Sequence, residues 1–144
     1  MSTTTLKAIL DRFQAICEGD TLTLQPTRVP FSHDREPNAT LDAAYYLEDA
    51  GLGDTREGTN AIQFRMDTVT VWLTRRVAFD GQTQAETLQT TMNTLERLLL
   101  ADGPSNSYHA TVTGRAGPKQ AGESDRLVAG LTFTLDYDFS TAVS

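Results

Sequence analysis

The stretch Leu127-Val128-Ala129-Gly130-Leu131-Thr132-Phe133-Thr134-Leu135-Asp136-Tyr137-Asp138-Phe139 decides the architecture. Leu127, Ala129, Leu131, Phe133, Leu135, Tyr137 and Phe139 share one parity, whereas Gly130, Thr132, Thr134, Asp136 and Asp138 share the other. Successive side chains of an extended strand point to opposite faces, so this run reads as one long strand with a buried side and a wet side. Such alternation belongs to antiparallel sheets covered on a single face. Upstream, Tyr108, Ala110 and Val112 alternate with polar residues, and Gly114 to Gly122 separates the two runs with three glycines. The last third of the chain is therefore expected to be a β-hairpin with a flexible tip.

Two helices are expected to cover the apolar face. Leu6, Ile9, Leu10, Phe13, Ile16 and Cys17 form one stripe at helical spacing. A threonine among Thr3 to Thr5 is placed to cap its start, and Gly19 to stop it in a left-handed conformation. Leu88, Met92, Leu95, Leu98 and Leu99, with Ala85, form a second stripe, preceded by the capping-box pattern Thr83-x-x-Glu86 and ended by Gly103-Pro104. Helices on one face of a sheet define an α+β fold of two layers, with an antiparallel or mixed sheet and a long C-terminal hairpin.

Between these elements the pattern is less regular. Thr21 to Gln25 alternates as a short strand ended by Pro26. Pro30, Pro37, Gly51, Gly53 and Gly58 then punctuate a polar stretch that contains Leu41 to Glu48, which fits a helical turn by its alanines and a strand by its paired tyrosines. Ala61 to Val77 is rich in strand formers but changes phase: Ile62, Phe64 and Met66 have one parity, Val69, Val71 and Leu73 the other. A bulge, bend or twist near Asp67-Thr68 is expected to bring both sets to one core. The whole of residues 1–144 is read as a single domain, with 32–60 and 114–124 as mobile loops.

Composition narrows the function classes. Nineteen acidic against twelve basic residues leave a formal charge of −7, which argues against a groove built to grip nucleic acid. The hydrophobic fraction is only 39%, suiting a protein that completes its burial against neighbours. One cysteine excludes an internal disulfide framework and a multi-cysteine zinc cage. No apolar run approaches the roughly 20 residues of a membrane helix. The start Met1-Ser2-Thr3-Thr4-Thr5 lacks the basic and apolar segments of a secretory signal, so assembly in a cytoplasm is expected.

Candidate chemistry is sparse. His33 lies beside Ser32 and Asp34, but side chains adjacent in sequence do not converge on one carbonyl, and loop polarity is the better reading. His109 alternates away from the Tyr108 face and is expected at a wet surface or interface. Cys17 belongs to an apolar stripe and reads as a core residue, not a nucleophile. Asp136 and Asp138 lie about 7 Å apart on the wet side of a strand; they could serve as acid and base or hold a cation, though a solvated face explains them more simply. Arg115 and Lys119 flank the glycines of the hairpin tip, where a phosphate or a partner could order them. Trp72 with Arg75-Arg76 is a contact surface or a core tryptophan with solvated charges. As interface candidates the chain thus offers Trp72, Arg75, Arg76, Arg115, Lys119, Asp136 and Asp138; no catalytic, cofactor or metal residue is assigned.

The succession of helix, short strand, polar segment, long strand pair, helix and hairpin covers nearly the whole chain. With Leu6-Lys7-Ala8-Ile9-Leu10-Asp11-Arg12-Phe13, Trp72-Leu73 and the run from Asp125 to Tyr137, it resembles the lambda-type tail terminator proteins of long-tailed bacteriophages and related neck or tail-completion proteins. The resemblance implies a strand at Leu41 to Glu48 and a homo-hexameric ring that caps the tail tube at its final length. It further implies the tail tube protein and a head-completion or connector protein as partners, DNA that only passes through the lumen, no cofactor and no membrane. The location implied is the tail or neck of the virion, and the mechanism is binding without turnover. A head-side neck protein is the nearest alternative, followed by a small α+β enzyme using the acidic pairs and a bacterial adaptor domain.

Overall fold

A computed structural model describes residues 2–27, 30–31, 43–58, 60–76, 81–120 and 126–142, with residues 50–54 and 81–82 described by their backbone alone. Its elements in chain order are α1 (Leu6–Cys17), β1 (Gln25–Pro26), β2 (Ala43–Glu57), β3 (Ile62–Arg76), α2 (Gly81–Asp102), a 3₁₀ turn (Gly103–Ser105), β4 (Tyr108–Gln120) and β5 (Arg126–Ser140). The five strands form one sheet in the order β1-β2-β3-β5-β4, parallel only between β1 and β2 and antiparallel elsewhere. This is the expected α+β fold with a mixed sheet.

The decisive strand behaves as its alternation requires. Leu127, Ala129, Leu131, Phe133, Leu135 and Tyr137 are buried against the helices, together with Val69, Val71 and Leu73 of β3 and Tyr108 and Ala110 of β4. The helices contribute Ile9, Phe13 and Cys17 from α1 and Leu88, Met92, Leu95 and Leu99 from α2. Phe13 is wholly buried, with its ring edge-on to Phe133 at 5.6 Å and tilted to Tyr108 at 6.0 Å. Edge-to-face geometry adds to what the buried area contributes.

Polar contacts fasten the helices to the sheet. Arg12 on α1 donates from Nη2 to Asp102 Oδ1 at 2.6 Å, and the Tyr108 hydroxyl donates to Asp102 Oδ2 at 2.8 Å. Asn106 donates to the same carboxylate at 3.0 Å. Asp102 thus joins α1, the end of α2 and the start of β4, and it holds the Arg12 guanidinium above its ordinary pKa. At the other end of α1, Tyr45 Oη donates to Glu18 Oε2 at 2.7 Å. Burial, reinforced by Glu18, pushes the Tyr45 hydroxyl above the usual tyrosine range.

Several local expectations need correction. Thr5 does cap α1, accepting from the Ala8 amide at 3.1 Å, but Gly19 does not adopt a left-handed conformation. Its small size matters instead, because a Cβ there would lie 3.2 Å from the Ala15 carbonyl oxygen. Thr21 to Gln25 is mostly turn: Thr23 sits at φ 50°, its amide bonds to Gly19 O and that of Leu24 to Cys17 O. Those amides are engaged by the helix end, leaving only Gln25–Pro26 to pair with β2. Helix α2 already includes Gly81, so Thr83 and Glu86 lie inside its first turns and do not form its cap.

Of the expected loop 32–60, residues 43–57 are strand β2, because β3 supplies a full-length antiparallel partner; residues 32–42, with His33, lie outside the described residues. Of the expected loop 114–124, residues 114–120 continue β4, which follows β5 through irregularities at Val112/Gly114 and Ala116/Lys119. Residues 121–125 lie outside the described residues. Gly117, at φ 75°, supplies the left-handed step that passes the second irregularity.

The phase change in β3 is resolved differently from expectation. β3 pairs with β5 in unbroken register from Ile62↔Ser140 to Arg76↔Arg126, so no residue is inserted near Asp67-Thr68. The irregularities fall on the partner strand, between Asp49 and Leu52 and between Leu52 and Asp54 of β2. With parity kept along β3, Val69, Val71 and Leu73 face the helices, whereas Phe64 and Met66 stand on the opposite face. On the helix side of that end stand Gln63, Arg65 and Asp67. Arg65 stacks 3.6 Å over the Phe139 ring, and buried Asp67 accepts the Tyr137 hydroxyl at 2.6 Å. The apolar side of β3 therefore reverses along its length.

Candidate interaction surface on the open sheet face

The face of the sheet turned away from the helices is built from the even-numbered positions of β3 and β5. Cross-strand neighbours on one face stand about 4.5–5.5 Å apart, so the register gives the surface directly. Its centre is a belt of threonines: Thr68 faces Thr134, and Thr70 faces Thr132 with their hydroxyls 3.0 Å apart. Short β-branched polar side chains suit a strand without needing a helix above them.

At one end of this belt lies a small apolar cluster. Phe31 and Val128 are buried there, with Tyr46 and Trp72 packed against them. Trp72 is half-buried and packs against Gly130, where an added Cβ would meet its ring carbons Cζ3 and Cε3 at 2.8 and 2.9 Å. The glycine is needed for that close approach.

At the other end the strands form an open depression of roughly 480 Å³. Phe64 and Met66 occupy its middle strand and are 49% and 41% exposed, the two largest apolar exposures on the described sheet. Asp138 stands opposite Phe64 and Asp136 opposite Met66 on one flank; Arg56 stands opposite Phe64 on the other. The result is an apolar floor with two carboxylates on one rim and a guanidinium on the facing rim.

Of the seven interface candidates, only Asp136 and Asp138 come together at this depression. Trp72 shares the face but lies six residues along β3 from Met66, about 20 Å away. Arg75 has the opposite parity and donates from Nε to Gln84 of α2 at 3.2 Å. Arg76 is exposed at the end of β3. Arg115 pairs with Glu96 of α2, and Lys119 is exposed on β4. Phe64, Met66 and Arg56 were not singled out by sequence reasoning. Their signal was the Ile62/Phe64/Met66 parity itself, which an uninterrupted strand places opposite the core.

Other reactive groups are structural. Cys17 is fully buried, and burial, then Glu18, pushes its thiol up to about 12. Tyr137 is likewise pushed up to about 12, by burial and then by its bond to Asp67. His109 is exposed opposite Asp136. Among the described residues no group of three or more His, Cys, Asp or Glu side chains is arranged to hold a metal ion. No described helix is long and apolar enough to cross a membrane. Comparison with models of known protein families finds no match, and comparison with curated proteins finds none either.

Proposed function

We propose that this chain is a structural subunit of a long-tailed phage virion, a tail terminator whose copies form a hexameric ring on the end of the finished tail tube. The reading rests on the unequal faces of the sheet. Helices cover one face, while the other exposes Phe64 and Met66 in a depression rimmed by charge. Apolar side chains held rigidly on a strand and left open to water are a feature of surfaces that meet a partner. The order of elements, with a strand rather than a helix at 43–48, accords with the resemblance to terminators.

In this reading the protein acts by occupancy. A ring seated on the growing end of a tube presents no face that the next tube subunit can match, and it offers a different face to the head connector. Head-to-tail contacts close into a ring when the rotation per subunit is an integral fraction of a turn. Six copies at −7 each surround a passage through which like-charged DNA slides without being gripped. Sedimentation velocity over a wide concentration range tests the ring, and electron microscopy of tail tubes mixed with the protein tests the cap. A hexamer, alone or on tube ends, is expected. Monomer at every concentration, with bare tube ends, would falsify the proposal.

A further inference from the structure

The described residues expose three large apolar side chains: Phe64 and Met66 on the open sheet face, and Leu100 near the end of α2. The sheet separates the two sites, since α2 packs on the opposite face. Leu100 is 41% exposed, and Arg97, three residues before it, is exposed on the same side of the helix. Residues at this spacing have Cβ atoms about 5–6 Å apart. Arg97 forms no ion pair with another described residue.

We infer that the depression at Phe64 and Met66 is the docking site for the Leu100 end of α2 from a second copy of this chain. Leu100 supplies an apolar side chain for the apolar floor, and Arg97 supplies a cation for the rim of Asp136 and Asp138. The two halves are complementary in polarity and in charge, and the Leu100 end is not complementary to itself. Two Leu100 ends facing each other would oppose two guanidinium groups, whereas a Leu100 end seated on the depression sets Arg97 against two carboxylates. The contact is therefore heterologous, and it repeats from copy to copy because every subunit carries both halves on opposite sides.

This assignment rests on the ring reading and says which surfaces make the ring. Arg97 also has a specific place in it: the carboxylates flank Met66 and Phe64 on the β5 side, opposite Arg56, so docking is polar in direction as well as in chemistry.

A chain carrying both Met66→Cys and Leu100→Cys tests the contact, because the two new thiols are on opposite sides of one molecule and can meet only between copies. The native thiol, Cys17, is buried and does not compete. Mild oxidation is expected to give a ladder of covalent oligomers under denaturing, non-reducing electrophoresis, with each single variant remaining monomeric. Arg97→Glu is expected to raise the concentration at which assembly is half complete by roughly tenfold. Adding Asp136→Arg and Asp138→Arg to that variant is expected to recover most of the loss. If the unmodified protein sediments as an oligomer but the double-cysteine chain gives no ladder, the contact is wrong and the ring reading stands. Covalent dimers from Met66→Cys alone would mean face-to-face pairing and also overturn the contact. If the unmodified protein is monomeric at all concentrations, the ring reading fails and takes the contact with it.

Discussion

On the helix side of β3, Val69, Val71 and Leu73 are completely buried; on the other side of the same strand, Phe64 and Met66 remain nearly half exposed. Both sets are apolar, and both sit on a strand paired on each side. What differs is the cover. The hydrophobic effect rewards area removed from water, so the first set has made its whole contribution to the folded subunit, while the second has nearly half of its contribution still to make. Apolar sequence alone does not distinguish residues that build a fold from residues kept for a contact.

The sharpest test of the comparison is to truncate one aromatic on each face. Phe133 is fully buried, edge-on to Phe13. Phe133→Ala is expected to cost about 3–5 kcal/mol, read from the urea midpoint at constant slope. Such a loss is a large part of the stability of a domain of this size and will unfold a sizeable fraction of the protein at moderate temperature. A cost below about 1 kcal/mol would mean that the helix layer is not the packed side.

Gly130→Ala probes the boundary between the two regimes. The new methyl would press on the Trp72 ring from below, at a distance no pair of carbon atoms tolerates. The ring must tilt or the strands must separate, and overpacking of this kind costs about 1–3 kcal/mol. The single tryptophan reports the event directly, since its emission is expected to shift to longer wavelength as the ring is lifted toward solvent. Unchanged emission together with unchanged stability would show that Trp72 does not depend on the glycine.

The reversed end of β3 makes a prediction in pH. Tyr137 holds its proton up to about pH 12 in the folded chain, against an ordinary value near 10, because its hydroxyl is buried and donates to Asp67. Between those values the unfolded chain has lost this proton and the folded chain has kept it. Stability is therefore complete below pH 10 and falls as pH rises toward 12. Tyr45 and Tyr108 are raised in the same direction and add to the slope. Tyr137→Phe is expected to flatten the fall in urea midpoint above pH 10 without abolishing it; an unaltered slope would mean that Tyr137 is not protected.

Much of the architecture was legible because the relevant periodicities are long. Seven alternating residues in β5 and five or six apolar positions in each helix overwhelm local exceptions. The misreadings share a cause. Gly51, Gly53, Gly114 and Gly117 look like loop punctuation, yet they lie in or beside irregularities of paired strands, where a missing side chain lets the backbone deviate and rejoin its partner. The surface was hidden for another reason. Asp136 and Asp138 were visible as a wet pair, but Phe64 and Met66 were assigned to the core, since apolar residues are placed inside when only one molecule is considered. Strict parity argued otherwise, and unbroken pairing with β5 enforces it.

The smallest expected effect on the fold is the most informative about the open face. Phe64→Ser removes a ring that is 49% exposed and carries no buried contact with the helices, so the unfolding free energy of the subunit should fall by only about 1 kcal/mol, well short of the loss at Phe133. Assembly should respond quite differently, because a hydroxyl on the floor of the depression would be desolvated on docking without a partner, and the apolar area it replaces is lost as well. The prediction is a urea midpoint only slightly lowered for the monomer and a loss of oligomer at concentrations where the unmodified chain associates. Were the monomer instead destabilised by several kcal/mol, Phe64 would belong with Val69 and Leu73 as part of the core, and the two faces of β3 would not differ in kind. Were both quantities unchanged, the exposure of Phe64 would carry no association energy, and the reversal of β3 would be a local accident of a long strand.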